Sequence, residues 1–296
     1  MKKTLSLALA LTMALSLAAC GNSGGSSSSA PNSSGSSSQA DASSSAAGSS
    51  STPEVVDDVT TVTEKDTLVV GITNFEPMDY QDENGEWIGF DADMAKQFAE
   101  YLGVDVEFSE INWDYKVMEL NAGNIDVVWN GMTILPEVTS TMDVSNPYCL
   151  NAQVLVVPVD KAADFEDLTS LEGLTVAVES GSAGEAAATA LGASTVAVAK
   201  QADTLLEVSA GTSDAAVIDL LMAGAMIGEG TSYEGLTYVL NLNELQKQES
   251  EEYGVGFRQG SNLVDEFNTF WAEKVADGTV LEVATTYGLQ ESVILE

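Results

Sequence analysis

From Asp66 onward the chain runs twice through one pattern, in which short apolar runs alternate with amphipathic segments. Leu68-Val69-Val70-Gly71-Ile72 is a compact apolar run that reads as a strand buried on both faces. A helix is predicted from about Asp91, with Met94, Phe98, Tyr101 and Leu102 on one face and Gly103 as its stop. Val104 to Phe108 alternates as a strand, Trp113 to Ala122 reads as a helix ended by Gly123, and Ile125 to Trp129 is a third strand. The pattern restarts after Pro158, with strands at 174–178, 195–199 and 215–218 and helices at 181–191, 202–210 and through Met226. Val255 to Phe257 is a further strand. Two helices close the chain, the first with Leu263, Phe267, Phe270, Trp271 and Lys274 at helical spacing. Strand–helix alternation of this kind builds a parallel sheet with helices on its faces. Two such units in matched order make two α/β lobes. Open α/β sheets bind ligands at the C-terminal ends of their strands, so lobes that face each other form a cleft that a hinge can close.

The N-terminus is of another kind. Lys2 and Lys3 precede an apolar stretch, Leu5 to Leu17, too short for a stable membrane span. Residues 1–19 therefore read as a signal peptide, ending in Leu17-Ala18-Ala19 before Cys20-Gly21. That ending resembles the bacterial lipobox, which implies acylation of Cys20 and anchoring to the outer face of the cell membrane. Gly21 to Pro53 holds 16 serines and 5 glycines in 33 residues, with Asp41 its only charge. Such a segment buries too little apolar surface to fold. Residues 20–53 are predicted to be a tether with a reach of about 30 Å.

Composition excludes several chemistries. Without Lys2 and Lys3 the chain keeps 8 basic against 46 acidic residues, a net charge of about −38. Nucleic acid and anionic lipid surfaces are poor partners for such a chain. Histidine is absent, and with Cys20 acylated only Cys149 remains, which reads as a small packed residue near the hinge. No intrachain disulfide, Ser-His or Cys-His nucleophile, or transition-metal site is expected, and no cofactor. The acidic run Asp79 to Glu86 lacks the spacing of a calcium loop, and Asn84-Gly85 within it is a hairpin turn signal.

The chain resembles the bacterial family 3 extracellular solute-binding proteins at several places in order. These are LVVGITNFEPMDY from Leu68, NGEWIGFDADMAKQFAEYLG from Asn84, LNAGNIDVVWNGMTI from Leu120 and DVSNPY from Asp143. GLTVAVESGSAGE from Gly173, SDAAVID from Ser213 and YGVGF from Tyr253 continue the likeness. The resemblance implies a two-lobed type II periplasmic-binding fold with a discontinuous first lobe. Lobe 1 with its hinge strands is expected over 66–158 and 253–296, and lobe 2 over 159–252. The hinge crossovers are expected near Gln153 to Val157 and Val255 to Arg258. The implied function is delivery of a polar amino acid to the permease of an ABC importer, by a monomer that touches the membrane through its anchor alone.

The same resemblance implies a site. Phe75 takes the position of an aromatic that stacks on the ligand, and Trp113 that of an apolar wall; both also read as lobe core. Asn130, Gly131, Met132 and Thr133 match the loop whose backbone and hydroxyl receive the ligand's amino group and carboxylate. Ser182 and Ala183 match a helix start that binds carboxylate, favoured by the helix dipole. Asp219 matches the acid that pairs with the ligand ammonium, although an N-cap role fits it too.

One position departs from the family. Its loop runs M-T-I-T-x-x-R, and the arginine clasps the α-carboxylate. Here the loop is MTILPEV, with Leu135 for the threonine and Val138 for the arginine. Arg258, the sole arginine, belongs near the hinge. Glu179 stands where the family is usually apolar and pocket-facing. An aromatic, acidic cleft favours cations, so a second ligand class is a cationic amine or amino-acid derivative lacking a free carboxylate. An enzyme of the dehydratase type shares the fold as a further alternative. Those enzymes need acid–base groups and keep the arginine, so a binding protein without catalysis is expected.

Overall fold

The computed structural model describes residues 55–295; the predicted signal, Cys20 and the serine-rich tether lie outside them. The first turns are α1 (Asp58–Glu64) and β1 (Thr67–Ile72), whose Leu68, Val70 and Ile72 are fully buried. A hairpin of β2 (Tyr80–Gln81) and β3 (Trp87–Ile88) follows, its turn held by the Asp82 carboxylate accepting from the N–H groups of Asn84 and Glu86. Next come α2 (Phe90–Leu102), β4 (Asp105–Glu110) and a single 3-10 turn at Trp113–Tyr115 leading into α3 (Lys116–Ala122). The first pass closes with β5 (Val127–Val128), α4 (Pro136–Thr139) and β6 (Asp143–Val144).

After β7 (Cys149–Asn151) the second pass holds β8 (Gln153–Pro158), β9 (Thr175–Glu179), α5 (Ala183–Ala190), β10 (Ser194–Val198), α6 (Gln201–Ala210) and β11 (Ala215–Asp219). It continues through α7 (Leu220–Met226), β12 (Leu236–Asn241) and α8 (Leu242–Leu245). The chain then returns by β13 (Glu251–Tyr253) and β14 (Gly256–Phe257) to α9 (Leu263–Ala276) and α10 (Thr279–Thr286). No described helix is long and apolar enough to cross a membrane.

Two five-stranded sheets result, in the orders β4-β1-β5-β14-β6 and β10-β9-β11-β8-β12. In each the first three strands pair in parallel and only the fourth, β14 or β8, runs against its neighbours, so the two lobes share one plan. One face of the first sheet packs an aromatic cluster from α2 and α9. Trp129 meets Phe267 edge to face at 4.9 Å, and Phe98 lies 5.1 Å from Phe270. Burying several such rings is the largest apolar contribution a lobe of this size can draw on.

The crossovers differ from the sequence expectation. Gln153–Pro158 was expected as a hinge strand grouped with lobe 1. It is an interior strand of the second sheet, paired antiparallel with both β11 and β12. Likewise Gly256–Phe257 pairs with β5 and β6 inside the first sheet. The passage between lobes is the ribbon of β7 and β13, in which Cys149, Leu150 and Asn151 face Tyr253, Glu252 and Glu251. An apolar run such as Gln153–Pro158, buried along five of its six residues, cannot serve as an exposed connector without losing that burial.

Candidate functional site

The C-terminal ends of β5, β9 and β11 point toward one place between the two sheets. There Phe75, Trp113, Asn130, Gly131, Thr133, Glu179, Ser182, Ala183, Gln201 and Asp219 enclose a cavity of about 20 Å³. That is room for about one water molecule. Nine of the ten residues singled out in the sequence are on its wall, and Gln201 is an addition. The exception is Met132. It is 1% exposed and packs in an apolar cluster with Trp113, Leu120, Val128 and Met142, so only its backbone belongs to the loop.

The loop after β5 is built by buried side chains. Asn130 spends its amide on Thr73, accepting from the Thr73 N–H at 2.8 Å and donating to its hydroxyl at 2.7 Å. The Gly131 N–H donates to Asp91 Oδ2 at 2.7 Å, and Tyr148 OH donates to the same oxygen at 2.7 Å. Burial pushes Asp91 up to about 7. The Thr133 hydroxyl donates to Glu251 Oε2 at 3.1 Å. The backbone and hydroxyl of this loop are expected to face a ligand, and in this geometry the Gly131 N–H and the Thr133 hydroxyl hold the loop. Phe75 lies edge to face with Tyr253 at 6.4 Å and is both wall and core. Trp113 likewise serves both purposes.

On the second lobe, Ser182 caps α5, its hydroxyl accepting from the Glu185 N–H at 3.1 Å. Asp219 stands at the N-terminus of α7 without capping it. Its Oδ1 accepts from Asn151, from Gln153 at 3.0 Å and from Tyr253 at 2.8 Å. Its Oδ2 accepts from Gln201 at 2.6 Å. Asn151 and Gln153 also donate to Glu251 Oε2, so the buried Asp219 and the half-buried Glu251 share two amides where the ribbon enters the second sheet. Burial, then the Glu251 charge, raises Asp219 to about 6. Glu179 is 4% exposed and its Oε1 meets no donor. Burial, then the Asp219 charge, raises it to about 8.

Cations are sparse here. Arg258 is committed elsewhere: it grips Asp58 through Nε and Nη2 at 2.8–3.2 Å, and its Nη1 donates to the carbonyls of Leu120 and Ile125. It does not replace the arginine missing at Val138. Val138 lines a wider groove of about 640 Å³ between the lobes, beside the small cavity, with Leu135, Lys116, Gly181 and Ser182. Lys116, which sequence reasoning passed over, stacks its ammonium 4.6 Å over the Trp113 ring. It donates to the carbonyls of Trp113 at 3.2 Å and Gly181 at 3.0 Å, joining the lobes. Burial lowers its pKa. Its place at the start of a helix that follows Trp113 was the available signal. For Gln201 the signal was its position directly after β10, where open sheets bind ligands.

Two mixed sheets, a paired crossover ribbon and a polar cleft between them define a two-lobed ligand-binding protein. The pattern of the bacterial extracellular solute-binding proteins, family 3, matches residues 68–290, and the chain belongs to that family. It is 27% identical over 221 residues to the arginine-binding extracellular protein ArtP of Bacillus subtilis, covering 72% of this chain and 83% of that one. It is also 27% identical over 223 residues to the L-cystine-binding protein TcyJ of Escherichia coli, covering 74% and 81%. Among solved structures, a mutant of the arginine-binding protein of T. maritima superposes with a TM-score of 0.70 at 30% identity, covering 77% of this chain and 98% of that one. The ancestral amino acid-binding protein AncCDT-1, a precursor of cyclohexadienyl dehydratase, gives 0.69 at 30% identity, covering 78% and 99%. The curated relatives are binding proteins rather than enzymes.

Proposed function

We propose that the protein is a lipid-anchored receptor, acylated at Cys20, that captures a polar amino acid between its lobes and hands it to the permease of an ABC importer. The observation that carries this reading is the convergence of Asp219, Thr133, Ser182, Phe75 and Trp113 on one cavity at the strand ends of both sheets. Asp219 Oδ2, with one protein donor, keeps acceptor capacity for an ammonium group. Ser182, at the start of α5, offers its hydroxyl proton to a carboxylate. The cavity is smaller than any amino acid, so capture requires the lobes to part and then close on the ligand about β7 and β13. The protein acts as a monomer without catalysis, and its relatives' binding of arginine and cystine supports an amino-acid-like solute.

A thermal-shift panel of the twenty amino acids beside polyamines and quaternary amines tests the reading. Stabilisation by one or a few amino acids is expected, and a flat response across the panel contradicts it. Replacement Cys20→Ser should release the protein from membranes into the medium; unchanged membrane retention would remove the anchor.

A second reading, a cationic solute without a free carboxylate, is favoured by one observation: no cationic side chain lines the cavity. Substitution Val138→Arg distinguishes the two. If the natural ligand lacks a carboxylate, the new guanidinium gains nothing. If it has one, affinity should rise about tenfold.

A further inference from the structure

Asp219 and Glu179 are the two acids on the cavity wall, and their hydrogen bonding is very unequal. Asp219 already accepts from four side chains, three of them on Oδ1, which occupies most of a carboxylate's lone pairs. Glu179 ends β9 with its Oε1 fully enclosed and without a donor. A buried polar atom without a partner is costly, and native proteins keep few of them. The backbone N–H of Gln201 acts on the Glu179 carboxylate, and among the described residues no donor reaches Oε1. The nearest cation that acts on Glu179 is Lys116, and its ammonium is spent on two carbonyls and the Trp113 ring without forming an ion pair with Glu179. The other charged groups acting on Glu179 are Asp219 and Asp203, both acidic.

Resting on the receptor reading above, we infer that Glu179 selects the cargo: the cleft takes a solute with two cationic groups, one at Asp219 Oδ2 and the second, a side-chain ammonium or guanidinium, at Glu179 Oε1. The aromatic side chains of Phe75 and Trp113 on the same wall suit the apolar stem and the delocalised cation of such a solute. Burial raises Glu179 to about 8, so at pH 7 it is held largely as the neutral acid. Entry of the second cation favours the carboxylate, and the proton leaves to solvent.

The test uses the whole receptor and paired probes: L-arginine against L-citrulline, L-lysine against L-norleucine, and 1,4-diaminobutane as a dication without carboxylate. Each pair keeps the shape and removes the distal charge. Titration calorimetry of the wild type should give at least about tenfold tighter binding to L-arginine than to L-citrulline, or to L-lysine than to L-norleucine. It should also give release approaching one proton at pH 7, read from two buffers of different ionisation heat. Glu179→Gln removes no donor and should remain folded, which its melting curve checks. It should lose both the preference and the proton release. L-citrulline and L-norleucine binding as tightly as L-arginine and L-lysine, or Glu179→Gln weakening charged and neutral probes alike, would overturn the inference and leave the receptor reading standing. A wild type that binds none of these probes nor any member of the wider panel would remove both together.

Discussion

A Cβ added to Gly131 would stand 2.6 Å from Cε1 of Phe75, and the residue holds φ at +56°, in the left-handed region that side chains disfavour. Gly131→Ala should therefore destabilise the protein by about 2 kcal/mol, a fall in Tm of about 4 °C or more. The same change should weaken ligand binding, because Phe75 must move; an unchanged melting curve would contradict the account of the loop. At this scale the sequence was legible where a motif carried the residue. NGMT placed Asn130, Gly131 and Thr133 at the cavity, and VID placed Asp219. It did not show that Asn130, Gly131 and Thr133 spend their polar groups on Thr73, Asp91 and Glu251, since those partners arrive from 40 to 118 residues away. Gln153 and Glu251, which complete the shell of Asp219, were invisible for the same reason.

Among the elements, strands and helices were legible wherever burial imposes a period. β1, β4, β9, β10 and β11 all fall within a residue or two of their apolar runs, and α2 and α3 stop at Gly103 and Gly123 as expected. What the runs could not reveal was which sheet each strand joins. Gln153–Pro158 is equally apolar whether it crosses between lobes or lies inside one, and its pairing with β11 and β12 is a long-range event. β12 went unread because, with one strand neighbour, it buries only Leu236 fully and shows no alternation. Arg258 shows another purely tertiary device. It ties α1 to the turn after α3, through an ion pair with an Asp58 that is 4% exposed and through two carbonyls. Arg258→Met should cost about 3–5 kcal/mol of stability in urea denaturation, since it strands a buried charge. Ligand affinity in the folded variant should be unchanged, and a large loss of affinity would mean that Arg258 reaches the cleft after all.

For the whole molecule, pH should act through the buried acids. Asp219, Asp91 and Glu179 are raised to about 6, about 7 and about 8 from ordinary values of 3.8, 3.8 and 4.5. Each folded group holds its proton more tightly than the unfolded chain does. The stability it contributes is complete below about pH 4 and is lost as pH rises through 6 to 8. The net charge of −36 adds self-repulsion in the same direction. Tm without ligand should thus be higher at pH 5 than at pH 8, and the reverse order would contradict these assignments. The two-lobed plan itself was legible in the repeated strand–helix order. The identity of the cargo was not, because Val138 removes the residue that ordinarily announces a carboxylate, and the groups that replace its information, Glu179 and Lys116, acquire meaning only when the lobes meet. The central claim is that the cleft between the lobes, with Asp219 at its floor, is where the solute is held. Its most direct test is calorimetric titration of the tightest ligand from the panel into wild type and into Asp219→Ala, with circular dichroism showing both folded. The account predicts affinity about tenfold or more weaker in the variant; equal affinity in the two proteins would contradict it.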